Sequence, residues 1–457
     1  MRPPASSAPS PPEPRGIFDG WFGLTAHGTT VRTEVMAGVT TFLATAYIIF
    51  VQPAVLSAAG MDFGAVMVAT CLATAIATIL MAVLANYPIT VAPAMGHNFY
   101  FAYGVVLAMQ VPWQTALGAV AIAGIIFIFT AGVGLRERLI TALPLFLQRA
   151  IGVGIGLLIA FVGLQWAGLV KGSPGTFVTL GDLHAPPTLV AIFGLVVTAV
   201  CVARRVRGAV LWGVVATTVV GLATGVVQYQ GFVGAPPSLA PTLLQLDLAG
   251  ALQPALWPVV LIFLFLALFD SVGTLVGVAG QAGLLKNGTL PKAREALLAD
   301  ATGTVIGAGL GTSTVTAYIE SLTGVLAGGR TGMAAIVTAT LFLLSIFFAP
   351  LVRMIGGGYP QPDGGRTLYP VVASALILVG TLMMREVRHI EWDDPTEAIP
   401  AFLTIIMMPL TLSITDGIAF GFISCAVLKL LTGRGRELHG LIYICAGALL
   451  LRYMFLA

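Results

Sequence analysis

The sequence predicts an all-α polytopic membrane protein whose fourteen spans form two inverted seven-span copies, with the third and tenth spans interrupted by short extended segments. Three observations predict it. Hydrophobic side chains make up 58% of the 457 residues and charged ones only 9%, against roughly a quarter charged in soluble domains. Apolar runs long enough to cross a bilayer, about 20 residues, recur along the whole chain. The two halves also resemble each other at a nearly constant offset, and an odd number of spans per copy makes the second run inverted.

The apolar runs, bounded by Gly, Pro and charge, lie at 35–57, 63–85, 91–109, 113–134, 144–170, 188–203, 209–228, 255–280, 294–309, 312–327, 332–354, 368–384, 398–413 and 415–431. A fifteenth stretch, 440–456, contains Arg452, and the sequence leaves open whether it spans the bilayer or lies at its surface. Residues 1–16, rich in Pro and Ser with no apolar centre, read as a disordered tail and not a signal peptide. Basic residues favour the cytoplasmic side. With the N-terminus inside, seventeen of the 22 Lys and Arg fall in cytoplasmic segments, among them Arg136, Arg138, Lys286, Lys292 and Arg294. Only Lys171, Arg353 and Arg366 fall outside, and Arg149 and Arg452 sit within apolar runs. That bias predicts a cytoplasmic N-terminus.

The repeat shows in two places. FLATAYIIFVQPAVLSAAG (42–60) matches FLALFDSVGTLVGVAGQAG (265–283), and TVAPAMGHN (90–98) matches TVTAYIESL (314–322), at an offset of about 224. Asn86-Tyr87-Pro88 reads as a turn, and Pro93 and Gly96 break any helix begun there, so 89–94 is expected as extended chain before a helix starting near Gly96 or His97. In the second copy, the Gly-rich and β-branched run 309–316 precedes a helix expected near Tyr318. Non-helical backbone at membrane depth must be buried in protein or line a cavity, and the two half-helices would aim backbone N–H groups near Gly96 and Tyr318 at the midplane.

Three acidic residues interrupt apolar sequence: Asp270, Glu320 and Asp416. A charge at the bilayer centre costs about 2.5–3.5 kcal/mol on insertion scales, so such groups face cavities and serve pathways. Neither Asp270 nor Glu320 has a Lys or Arg nearby in its span, the setting in which a carboxyl can take up and release a proton. Asp416 fits either such a role or a turn or N-cap. Asp300 is expected to pair with Lys292 and Arg294. His97 fits a substrate contact or a structural donor, and Asn98 can both donate and accept. Tyr47, Phe99, Phe269 and Tyr318 could stack on a planar ligand or simply fill space.

Other features are excluded. Cys71, Cys201, Cys425 and Cys445 are isolated and read as buried apolar packers. The Gly-x-Gly runs at 152–156 and 307–311 lack a strand–turn–helix context and read as sites of close helix approach. Asn287-Gly-Thr289 fits a glycosylation sequon but lies in an expected cytoplasmic loop. No basic–aromatic block suggests a nucleic-acid surface. No HExxH or Ser/His/Asp spacing suggests an intramembrane enzyme, no periodic polar ring suggests a channel, and no cofactor is expected.

Over about 17 to 455 the chain resembles the adenine/guanine/hypoxanthine permeases, the AzgA-like branch of the nucleobase–ascorbate transporter (nucleobase:cation symporter-2) family. The resemblance is densest in TEVMAGVTTFLATAYIIFVQPAVLS, ATCLATAIATILMAVLANYPITVAPAMGHNFYFAY, LFDSVGTLVGVAGQAGLL, LLADATGTVIGAGLGTSTVTAYIESLTGVLAGGRTGM and ITDGIAFGFISCAVLKLLTGR. It implies a proton-coupled purine importer of the cytoplasmic (inner) membrane, with Na+ as the other candidate coupling ion. It further implies a core and a gate domain and a possible homodimer paired through the gate. On that pattern the tail is 1–33 and the core comprises 34–142 and 255–356. The gate comprises 143–230 and 367–432, 231–254 is an external loop, and 438–457 a C-terminal apolar segment. The FD-x-x-GT motif assigns substrate contact to Asp270 and Thr274, the T-x-x-x-ES motif to Glu320 and Ser321, and the M-G-x-N motif to Gly96 and Asn98. Phe99 and Tyr318 join them, Asp270 and Glu320 are the expected proton carriers, and Asp416 and His97 set gating or selectivity. Where the family reads GMGLNAFFAY this chain has AMGHNFYFAY, so His97, Phe99 and Tyr100 change the lining or support of the first half-helix. Gly280 stands where an acidic or larger polar residue is common. The alternatives are the same fold carrying xanthine, uracil or a small anion.

Overall fold

The computed structural model describes residues 17–133, 144–284, 290–361 and 367–455. The expected tail 1–16, the basic residues Arg136, Arg138, Lys286 and Arg366, and the sequon at 287–289 lie outside them.

Apolar runs without a polar face can only be buried or lipid-facing, and the helices they form fall in order on the fourteen expected stretches. Among the described residues nine helices are long and apolar enough to cross a membrane, from Val31–Ala58 to Ile414–Leu431, and Ala209–Ala223 and Pro395–Thr411 are shorter apolar ones. Helix Ala293–Leu310 and the two broken segments complete the series.

The first span is not continuous. Val31–Thr45, N-capped by the Thr30 hydroxyl, gives way at Ala46–Tyr47 to a second helix, Ile48–Ala58. Phe63–Leu80 starts on the Asp62 carboxylate, widens into a π turn over Met81–Ala85 and stops at Asn86, whose φ of 59° is left-handed. Its counterpart in the second copy, Ala293–Leu310, stops at Gly311 with φ 96°. Extended chain follows each stop.

Strand β1, Val91–Pro93, belongs to the third span, and β4, Val315–Ala317, to the tenth. Between them in sequence, β2 (Val170–Ser173) and β3 (Phe177–Leu180) form a separate hairpin in an inter-span loop. β1 and β4 pair antiparallel, with Val91 opposite Ala317, Ala92 opposite Thr316 and Pro93 opposite Val315. An offset of 224 maps Ala92 onto Thr316, so exchanging the copies returns the same ladder. The flanking bonds obey the same exchange: Ala94 N–H donates to Thr314 O (3.0 Å) and Tyr318 N–H to Thr90 O (2.9 Å). Thr78 and Thr304, which cap this crossing from the preceding spans, donate to Val91 O (3.2 Å) and Val315 O (2.7 Å). The backbone groups released from helix at membrane depth are thereby satisfied internally, as a bilayer requires.

Two sets of helices pack among themselves. Phe63–Leu80, Trp113–Val133, Ala293–Leu310 and Gly332–Ser345 form one, and Leu145–Trp166, Pro186–Ala203, Ala209–Ala223, Pro370–Met383 and Pro395–Thr411 the other. In the second set a Cβ at Gly380 would come within 2.4 Å of Gly156 O, and one at Gly154 within 2.6 Å of the Met408 sulfur. The Gly-x-Gly run thus permits close approach of neighbouring helices, except at Gly152, whose Cβ would meet open space.

The last apolar stretch is a helix, Gly440–Phe455, packed against Ile414–Leu431. Two expectations need correction. Cys201 and Cys445 are only half-buried, unlike Cys71 and Cys425. Asp300 accepts the Ser271 hydroxyl deep in the protein, whereas Lys292 uses its backbone N–H to reach the Tyr87 hydroxyl. One helical turn separates residues about 3.6 apart, and Asp300 lies some two turns into its helix from Lys292.

Candidate functional site

The β1–β4 crossing fixes where the two short helices begin. On the first-copy side, Met95–Phe99 follows Ala94 and passes into a π-helical stretch, Tyr100–Ala108. On the second, a 3-10 turn at Ile319–Ser321 leads into Leu322–Leu326. A cavity of about 560 Å³ opens beside the first of them, lined by Gly96, His97, Ile155, Phe265, Phe269 and Asp270, with Arg149 and Glu386 also on its walls. It lies between the two helix sets, since Ile155 comes from one and Gly96 from the crossing that the other holds.

Asp270, midway along Trp257–Gln281, is open to this cavity, and its Oδ2 accepts the Thr316 hydroxyl of β4 (3.1 Å). Just before it in the same helix, the rings of Phe265 and Phe269 lie with centroids 6.2 Å apart and planes 12° apart, and both border the cavity. Gly96 is small of necessity, because a Cβ there would stand 2.9 Å from Ile155 Cγ2. His97 borders the cavity while only 3% exposed.

Glu320, half-buried just past β4, uses its Oε1 to accept the Tyr47 hydroxyl (2.8 Å). Tyr47 therefore acts as a hydrogen-bond donor to the carboxylate rather than as a stacking ring. Glu320 is absent from the lining of that cavity among the described residues.

Several expected contacts prove to fasten the crossing. Asn98, fully buried, uses its Oδ1 to accept the Ser313 hydroxyl, while Gln52 donates to Thr312 Oγ1 (2.9 Å). The Tyr318 hydroxyl donates to Pro93 O (2.5 Å), and Ser321 Oγ accepts Thr90 N–H (3.0 Å). The backbone N–H of Tyr318 is held by Thr90 O, so it is not the free donor that a half-helix N-terminus would supply. Phe99 is fully buried and stacks on Tyr103 at 5.5 Å, so it supports the half-helix from behind. Thr274, one turn beyond Asp270, is buried within its helix.

Asp416 lies in the first turn of Ile414–Leu431, where the Ser413 hydroxyl serves as N-cap by accepting Asp416 N–H (3.2 Å). Its carboxylate accepts the Tyr453 hydroxyl from the last helix. Sequence reasoning missed Gln52 and Phe265 altogether, and it assigned no contact to Thr316. The signal for Thr316 was present, since it opens the T-x-x-x-ES motif within the repeated TVTAYIESL segment, four residues before Glu320.

This geometry accords with what the chain is similar to. Residues 32–420 match the Permease family. The guanine/hypoxanthine permease PbuG of Bacillus subtilis is 46% identical over 94% of this chain and 98% of its own length. The adenine permease AdeP of Escherichia coli is 43% identical over 97% of each. Among solved structures, the transmembrane domain of the cyanobacterial bicarbonate transporter BicA superposes with a TM-score of 0.62, covering 84% of this chain and 97% of that one at 16% identity, and it shares the helical transporter fold. A family match across most of the chain, with relatives this similar from end to end, means that the protein belongs to the Permease family, and so is a membrane transporter and not an enzyme.

Proposed function

We propose that the protein imports purine nucleobases with protons by alternating access. The observation that carries the reading is Asp270, a carboxylate open to a cavity beside a stacked pair of phenylalanines. An aromatic wall suits the face of a heteroaromatic base, and a carboxylate suits its ring N–H groups. The relatives named for adenine, guanine and hypoxanthine support the same cargo.

Proton coupling is supported by the partners of the two carboxyls. Glu320 and Asp270 are bonded to the hydroxyls of Tyr47 and Thr316. A hydroxyl can donate to a carboxylate or accept from the protonated acid, so either state keeps its bond. A lysine or arginine would hold the carboxyl in its charged form. In this reading Asp270 orients the base and passes the proton, and Glu320, steadied by Tyr47, completes binding as the cavity closes.

The helix set holding the crossing is then the core and the set around Leu145–Trp166 the gate, and the core moves against the gate between inward and outward access. The protein would sit in the cytoplasmic membrane with its N-terminus inside, a homodimer through the gate. An anion is disfavoured as cargo because Asp270 would repel it.

The test is uptake of labelled adenine, guanine and hypoxanthine in cells lacking their own purine importers, with uracil as control and with or without a protonophore. Purine accumulation that collapses with the protonophore is expected. Uracil uptake without purine uptake would replace the cargo.

A further inference from the structure

The helix Gly440–Phe455 lies beyond residues 32–420, over which the family match runs, and the transport reading above gives it no task. Yet Cys445 and Leu449, four residues apart and so on one helix face, line the same cavity as Asp270, beside Ile418 and Phe422 of the neighbouring helix. Two hydrogen bonds hold it there at its ends. Near its start the Tyr443 hydroxyl donates to Gly435 O (2.9 Å), just past the end of Ile414–Leu431. Near its finish the Tyr453 hydroxyl donates to Asp416, in the first turn of that helix. The two helices therefore run antiparallel over their whole length. Ile442, Ala446 and Leu449 are buried at a spacing of four and three, while Leu450, Leu451 and Met454 face outward, 45%, 57% and 65% exposed. An apolar helix with one face on protein and the other bare is suited to lie against lipid.

We propose that this helix is a fifteenth membrane helix and a working part of the transport pathway: it walls the cavity off from the bilayer, clasped to Asp416 by Tyr453, so that substrate passes along Cys445 and Leu449. The inference rests on the transport reading but not on the identity of the cargo. Asp416 acquires a physical task in it, as the anchor for the wall and not as a contact with substrate.

The test uses the full chain in opened native membranes. In a Cys201→Ser background Cys445 is the one thiol not buried, since Cys71 and Cys425 are. Its rate of reaction with a membrane-impermeant maleimide is compared with that of Met454→Cys placed in a Cys201→Ser, Cys445→Ser background. Thiols react as thiolates and need water, so Cys445 should react about ten-fold faster or more. Equal rates, or a faster Met454→Cys, would overturn the wall. Uptake then tests the clasp. Tyr453→Phe and Asp416→Ala should each lower it about ten-fold, as for a bond to a charged group, with the double variant no worse than either single one. Tyr453→Phe removes one oxygen and keeps the test open should Asp416→Ala fail to fold. Additive losses, or unchanged uptake in Tyr453→Phe, would overturn the clasp. The labelling comparison needs no cargo, so an error in the purine reading would show as absent uptake with the rate difference intact.

Discussion

Asp270 and Glu320 stood out in the sequence because a carboxyl in an apolar span has to be explained, and both lie at the crossing of the broken spans. Their partners were less legible. Tyr47 has the same apolar neighbours in sequence whether its ring stacks on a ligand or its hydroxyl serves Glu320, and only the fold, which brings Glu320 within 2.8 Å of that hydroxyl, decides. Asn98, Tyr318 and Ser321 carry polar atoms that satisfy backbone or side-chain groups across the crossing, which spacing alone cannot distinguish from facing a cavity. Two outcomes belong to this scale. Glu320→Gln should abolish uptake with the protein still folded and in the membrane, measured by transport alongside its level in isolated membranes. Tyr47→Phe should leave the carboxyl but remove its donor, lowering uptake about ten-fold; unaltered uptake would mean that the phenol does not steady Glu320.

At the scale of elements, Pro93, Gly96 and the Gly-rich run 309–316 were enough to place extended chain in the third and tenth spans. Their pairing was not legible. Strands usually run about 5–6 residues, and a three-residue ladder between segments 224 apart leaves no local pattern. What the sequence did carry was the constant offset, which the exchange symmetry of β1 and β4 now gives a physical meaning. Gly311 tests the importance of this junction. Its left-handed backbone disfavours any Cβ, and one would lie 2.2 Å from Thr242 Cβ. Gly311→Ala should therefore cost about 1–3 kcal/mol from backbone strain alone, read as a lower melting temperature in detergent. Gly309→Ala, whose nearest neighbour would be 3.8 Å away, should change it little. Equal effects would remove the junction from the account.

At the scale of the whole molecule, a cluster of charges ties together the last two spans of the fourteen at their basic end. Arg434 bridges Asp394 (2.6 Å) and Glu437 (2.7 Å), and Glu437 also meets Lys429 (2.7 Å). Bonds from Thr396 and Arg434 hold the Asp394 carboxyl down at about 2, and Arg434 and Lys429 do the same for Glu437, also at about 2. Carboxyls lowered on folding add stability above their ordinary range, near 4, and that stability is lost as pH falls from there toward 2. The melting temperature should therefore drop across that window, and Arg434→Gln should flatten the drop. An unchanged slope would mean the cluster contributes nothing, as exposed ion pairs often do.

The bundle as a whole is proposed to convert a proton gradient into purine accumulation through Asp270 and Glu320. The most direct measurement is the pH inside proteoliposomes carrying a pH-sensitive dye, followed as hypoxanthine or adenine is added outside. Purine entry should acidify the lumen, and Glu320→Gln should show neither purine entry nor acidification. Purine entry with no change in lumenal pH would contradict proton coupling and turn attention to Na+ or to uncoupled passage.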